Sequence, residues 1–390
     1  MRRAVAETEQ SPAGEGRPRM TPHAEENDPR VPVVMVAGIA EEPMATATIG
    51  LQWDLPSAVV VRHEIDPEQE LLVRTVSDAR GLLERVEISM EHACVNCAIR
   101  EDVVPTLERL AVTGRWQAII AQLPVTAEAT QVCRVLGHTP HVPRHFRIGA
   151  TLVALQAETV RADLLGDDLF VERGLPVRDD DGRGVAETAS AMVEYADVVV
   201  AGGDLDEQGR EVLATIARPG VQVANSIAQV ASEPLVRGIH RHEHSEAWVQ
   251  VVRRDPLPPS VGKEAWVLDF QSDRPFHPGR LQERIEALGR GHRRSRGCFW
   301  LPSRPAQVCQ WDGAGGMVSI GPSEYWDEAG PLTRIVIVGV DDGREQLAEA
   351  FHSCLLTDAE LAERGRYWEV HSDGLEPWLG PVRDLMGRGA

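Results

Sequence analysis

Residues 31–50 read VPVVMVAGIAEEPMATATIG. The run from Val31 to Ala37 is continuously apolar and stops at Gly38, the pattern of a strand buried on both faces. In an open α/β sheet, ligands sit beyond the carboxyl ends of the strands. The loop after this strand is therefore where a phosphate would be cradled. A cradle needs glycines that let backbone N–H groups approach the phosphate, and a lysine to neutralise it. Here Glu41 and Glu42 bring negative charge, Pro43 lacks a donor, and Met44 carries no charge. Carboxylates within ~5 Å of a phosphate oppose binding by several kcal/mol at low effective dielectric. On these residues the loop is not a nucleotide cradle.

The same buried-strand texture recurs in SAVVVRHE (57–64), WQAIIAQLP (116–124), ADVVVAGG (196–203) and GVQVAN (220–225). Helical patterns intervene: Ile99, Val103, Leu107 and Leu110 recur at helical spacing, and EQGREVLATIA follows the fourth strand. Alternation of this kind predicts a mostly parallel sheet covered on both faces, spanning 31–235. Residues 1–30 lack the apolar segment of a signal peptide and read as a disordered tail. A polar, proline-bearing stretch at 236–264 reads as a linker. Residues 265–375 alternate strands and helices as a small α+β domain, with a helix over 278–288 and a turn at DGAGG, and 376–390 read as a C-terminal tail.

The chain has 390 residues, with Asp+Glu 60 against Lys+Arg 40 and a net charge of −20. Such a surface repels bulk nucleic acid, whose affinity rests on phosphate neutralisation. Lys263 is the only lysine. No run approaches the ~18 apolar residues of a membrane span, so the expected location is the cytoplasm, with no membrane contact. One dense basic patch stands out, GRGHRRSRG (289–297), with Arg290, Arg293, Arg294, Arg296 and His292. It reads equally as a solvated loop or as a surface for RNA or an acidic partner.

Of six cysteines, Cys133, Cys298, Cys309 and Cys354 lie singly in apolar surroundings and read as buried small hydrophobes. Cys94 and Cys97 differ, sitting as CVNC just before a helix. That spacing serves half a zinc site, a redox pair, or neither. Two thiolates cannot complete a tetrahedral zinc shell; His92 is close enough to add a ligand, and Glu91 could contribute as well. His240, His242 and His244 alternate in HRHEHSEAW, where an extended segment would put them on one side to share a metal and a solvated linker would leave them idle. No nucleophile elbow, HExxH or paired-aspartate motif is present.

The order VPVVMVAG, MEHACVNCAIREDVVPTLERLA, QLPVTAE, YADVVVAGGDLDE, then RPFHPGRL, SRGCFWLPSRP and CLLTDAEL resembles the CobW-type metal-handling GTPases. The resemblance implies a P-loop GTPase-like mostly parallel sheet and a CobW C-terminal domain. It also implies thiolates that bind zinc. The family's Gly-x-x-Gly-x-Gly-Lys-Thr falls on Gly38 to Ala45, where Glu41, Pro43 and Met44 replace two glycines and the lysine. Its Asn-Lys-x-Asp falls on Ala201 to Asp204, keeping Asp204 alone. Its Cys-x-Cys-Cys becomes Cys-x-x-Cys. The combination is similar to an actinobacterial branch described as recruiting a ribosome hibernation factor to the small ribosomal subunit when zinc is scarce. By that resemblance the expected protein is a zinc-responsive adaptor with Cys94 and Cys97 as sensing thiolates, not a catalyst. Its partners would be the hibernation factor and the small subunit, the latter touched through Arg290, Arg293, Arg294 and Arg296. The alternative is a GTP-dependent zinc metallochaperone; GTP is doubtful on the loop's chemistry.

Overall fold

The computed structural model describes residues 28–90, 94–138, 144–175, 177, 181–259 and 262–382. The described strands form two sheets. In the first, β1 (Val31–Ala37), β2 (Ala58–Asp66), β5 (Ala118–Gln122), β6 (Phe146–Gln156), β7 (Val198–Gly202) and β8 (Gln222–Ala224) run parallel. The hairpin β3 (Leu71–Asp78) and β4 (Gly81–Ser89) extends it antiparallel, giving the order β4-β3-β2-β5-β1-β6-β7-β8. The mostly parallel α/β sheet expected from the sequence is present.

Helices cover both faces because β1 is apolar on both. Val33, Met35 and Ala37 join the core under α3 (Val104–Val112), α4 (Ala129–Gly137), α5 (Val160–Leu165), α6 (Val185–Tyr195) and α7 (Glu207–Ile216), while Val34 and Val36 face α1 (Glu41–Asp54) and α8 (Ser232–Arg237). The four-residue helix α2 (Val95–Ala98) runs into α3 through a π-helical turn at Ile99–Val103. The sequence reads as one regular helix here. Pro105 accounts for the difference: it lacks an N–H, and its ring would press on the carbonyl of Glu101 in an α-turn. The widened turn is pinned by Asp102, which lies 2.8 Å from His63 Nε2 on β2 and pairs with Arg74 on β3.

The stretch 236–264, expected as a linker, instead carries helix α9 (His242–Val249) with Trp248 buried. The second sheet is antiparallel, β12 (Met317–Tyr325), β11 (Gln307–Ala314), β10 (Arg293–Phe299), β13 (Thr333–Gly339) and β9 (Trp266–Ser272), in that order. Helices α10 (Pro278–Gly289) and α11 (Arg344–Cys354) close its core around Phe276, Phe299, Trp311 and Phe351, with α12 (Asp358–Arg364) and α13 (Glu376–Leu379) beyond. The DGAGG turn joins β11 to β12 with Gly315 and Gly316 at φ of 58° and 84°, the left-handed pair a tight hairpin requires. A Cβ on Gly315 would fall 1.8 Å from the carbonyl oxygen of Gly166, so this turn abuts the first domain.

The domains meet across buried charge. Arg294 on β10 donates from Nε and Nη2 to the Glu194 carboxylate on α6 at 2.9 and 3.1 Å, and pairs with Asp312 as well. Arg296 sits 3.5 Å from Glu194 and donates 2.7 Å to the Trp248 carbonyl. Glu211 on α7 accepts from the N–H groups of Lys263, Glu264 and Ala265 at 3.1, 2.6 and 2.8 Å, fixing the start of β9. These bonds correct one expectation. The GRGHRRSRG stretch forms no basic surface: Arg294 and Arg296 are spent inside the interface, Arg293 pairs with Asp341, and only Arg290 and His292 remain exposed.

Removing one partner of a buried pair strands the other charge, at a cost of about 3–5 kcal/mol. Arg294→Met is therefore expected to lower unfolding stability by that amount in denaturant titration. Adding Glu194→Gln to it should recover part of the loss, whereas an equal or larger loss in the double variant would contradict the pairing.

Candidate functional site

At the carboxyl ends of β1 and β2 the structure places the residues singled out for nucleotide and metal. Helix α1 begins at Glu41, with Glu42 beside it in the first turn. Glu41 pairs with Arg62 of β2 at 2.5 Å. Carboxylates thus occupy the helix N-terminus that would otherwise favour a phosphate. Met44 is fully buried and packed with Ala47 and Leu51. A Cβ on Gly38 would come within 2.8 Å of Met44 Cγ and 2.7 Å of the Ala154 carbonyl oxygen, so the methionine fills the space beneath the loop. The residue at the lysine position points into the core and carries no charge. Asp204 is exposed in the loop after β7. These residues do not fit a nucleotide.

Cys94 and Cys97 sit at the same end of the sheet. Cys94 caps α2 in extended conformation, and its sulfur accepts from the Cys97 N–H at 3.3 Å. Both thiols are half-buried, Cys97 against Leu72, Met90 and Ala98 at the base of the β3–β4 hairpin. A hydrogen bond to Cys94, then burial, pushes the Cys97 thiol up to about 11. The donor set suits zinc: two soft sulfurs three residues apart on a helix start make half of a tetrahedral shell. His92 and Glu91, named as further ligands, lie outside the described residues.

The histidine trio separates. His240 is buried, and its Nδ1 donates to Asp197 Oδ2 at 2.9 Å. His242 opens α9, with Nδ1 2.6 Å from the Tyr195 hydroxyl at the end of α6. His244 is exposed on α9 and joins neither. They do not alternate along an extended strand, because the chain turns helical at His242. The partner that sequence reading set aside is Cys133 on α4, whose sulfur lies 3.9 Å from His240 Nε2. Burial is the main cause that pushes Cys298, Cys309 and Cys354 up to about 11, 12 and 11. Burial raises Cys133 too, but hydrogen bonds to His240 and His242 outweigh it and bring the thiol down to about 7. Sequence held one usable signal, two histidines two apart near a buried segment, and nothing that linked them to a cysteine more than a hundred residues earlier.

Beside this group an interdomain cleft of about 210 Å³ is lined by Glu128, Thr130, Tyr195, Glu194, Arg294 and Asp312. Burial raises the Glu128 carboxyl to about 7. A folded value above the unfolded one favours the protonated form in the fold. Its contribution is full below pH ~4.5 and lost as pH rises through about 7. Glu128→Gln is expected to gain on the order of 1 kcal/mol over wild type above pH 7, with no gain near pH 4.5. Unfolding curves at the two pH values measure this; an equal gain at both would contradict it.

Residues 266–355 match the family described as Cobalamin synthesis protein cobW C-terminal domain. The zinc chaperone Rv0106 of Mycobacterium tuberculosis is 26% identical over 396 residues, spanning 90% of this chain and 94% of that protein. Zinc-regulated GTPase metalloprotein activator 1 of Dictyostelium discoideum is 22% identical, spanning 84% of this chain and 78% of its own. Among solved structures, the Zn(II)-bound YjiA GTPase from E. coli covers 84% of this chain and 99% of its own at 13% identity and a TM-score of 0.34. Among the described residues, no helix is long and apolar enough to cross a membrane. Residues 266–355 thus match a CobW C-terminal domain, and most of the chain is similar to these two zinc-related proteins.

Proposed function

We propose that the protein is a zinc metallochaperone of the CobW type, holding the ion through Cys94 and Cys97. The observation that carries this is the half-buried thiol pair at the mouth of α2, aimed from a short capped turn at the strand ends. The names of its relatives, a zinc chaperone and a zinc-regulated GTPase metalloprotein activator, support the same reading. A site built on a four-residue helix and a π-turn can open and close without disturbing the sheet, which suits uptake and release. The GTP-dependent form of the alternative is disfavoured by the buried Met44 and the carboxylates at α1. The adaptor reading, in which a hibernation factor is brought to the small ribosomal subunit, rests on the resemblance and on the acidic surface. It no longer has Arg294 or Arg296 for RNA.

Zinc analysis of protein purified without chelator is the test, paired with GTP added to thermal unfolding. Cys94→Ser/Cys97→Ser should lose about one zinc per chain, and GTP should leave the wild-type midpoint unmoved. Unchanged zinc in the variant would overturn the assignment. A rise of several degrees with GTP would restore the nucleotide-dependent chaperone.

A further inference from the structure

Cys133, His240 and His242 form a group separate from the Cys94–Cys97 pair. One donor atom from each residue falls within 4.8 Å of the others. Tetrahedral zinc with bonds of about 2.0–2.3 Å sets its donors roughly 3.3–3.8 Å apart. Closing the group onto an ion therefore needs movements of about an ångström, within reach of side-chain rotation.

We propose that Cys133 Sγ, His240 Nε2 and an imidazole nitrogen of His242 form a second zinc site, with a fourth position open to solvent. The set is one thiolate and two imidazoles, which selects zinc or another borderline metal over magnesium or calcium. The supporting shell is already built. Asp197 can only accept, so its contact with His240 Nδ1 fixes the proton there and leaves Nε2 facing Cys133. Asp197 is itself held by the Thr151 N–H and hydroxyl at 2.8 and 2.9 Å and by Arg218 at 2.8 Å. This is the carboxylate–histidine arrangement that orients metal ligands. On binding, Cys133 gives up its thiol proton to solvent if it still carries one, and His240 gives up any proton on Nε2. His242 is exposed and gives an ion its way in. The site ties α9 to α4, and α9 carries Trp248, whose carbonyl accepts from Arg296 of the C-terminal domain and whose ring lies 4.0 Å from the Arg253 guanidinium carbon. Metal here would therefore brace the interface between the domains.

The test uses the full chain carrying Cys94→Ser/Cys97→Ser, so that failure of the thiol-pair assignment cannot be mistaken for failure of this one. Cobalt(II) is titrated in. We expect a single site with a cobalt–thiolate charge-transfer band, and a raised unfolding temperature in the presence of zinc. Adding Cys133→Ser should abolish the band. His242→Ala, at an exposed position that leaves the core intact, should weaken cobalt binding at least about tenfold. Absence of a thiolate band in the starting variant, or its survival in Cys133→Ser, would overturn the proposal.

Discussion

The buried carboxylate of Asp197 is the constraint on which this end of the molecule depends. It sits at the start of β7 and takes hydrogen bonds from β6 through Thr151, from Arg218 after α7, and from His240 ahead of α9. An unpaired carboxylate in that place would cost several kcal/mol. Through these hydrogen bonds a stretch with the composition of a linker becomes part of the first domain. His240 Nε2 lies 3.9 Å from Cys133 of α4, and α9 is set against α6, where Trp248 and Arg296 join it to the C-terminal sheet.

At the carboxyl ends, where ligands of open α/β sheets bind, the loop after β1 is filled by core and carboxylate: Met44 is buried and Glu41 pairs with Arg62. The thiols of Cys94 and Cys97 remain there, on a turn that Pro105 and Asp102 shape. Beside the start of β7, one donor atom each from Cys133, His240 and His242 lie within 4.8 Å of one another, and Asp197 holds His240 in place.

Much of the fold was legible because strands such as VPVVMVAG and ADVVVAGG are apolar on both faces and short, and because DGAGG marks its turn with two glycines. Two kinds of element escaped. β6 carries Arg147, Gly149 and Thr151, which interrupt the apolar run, yet it lies inside the sheet beside β1. The β3–β4 hairpin is half exposed at the sheet edge, where residues need not be apolar. For the sites, local spacing was enough to find Cys94 and Cys97, since both ligands come from one turn. It could not find Cys133 with His240, because that meeting is made by the packing of α4 against a distant segment. The arginines of GRGHRRSRG misled for the same reason: their density is visible in the sequence, but their burial against Glu194 is a tertiary fact.

The most direct measurement is an anomalous difference map at the zinc edge from crystals of the wild-type chain grown with zinc. The account predicts one peak bonded to the sulfurs of Cys94 and Cys97, and a second among Cys133, His240 and His242. Zinc found elsewhere, with both thiol groups bare, would contradict it.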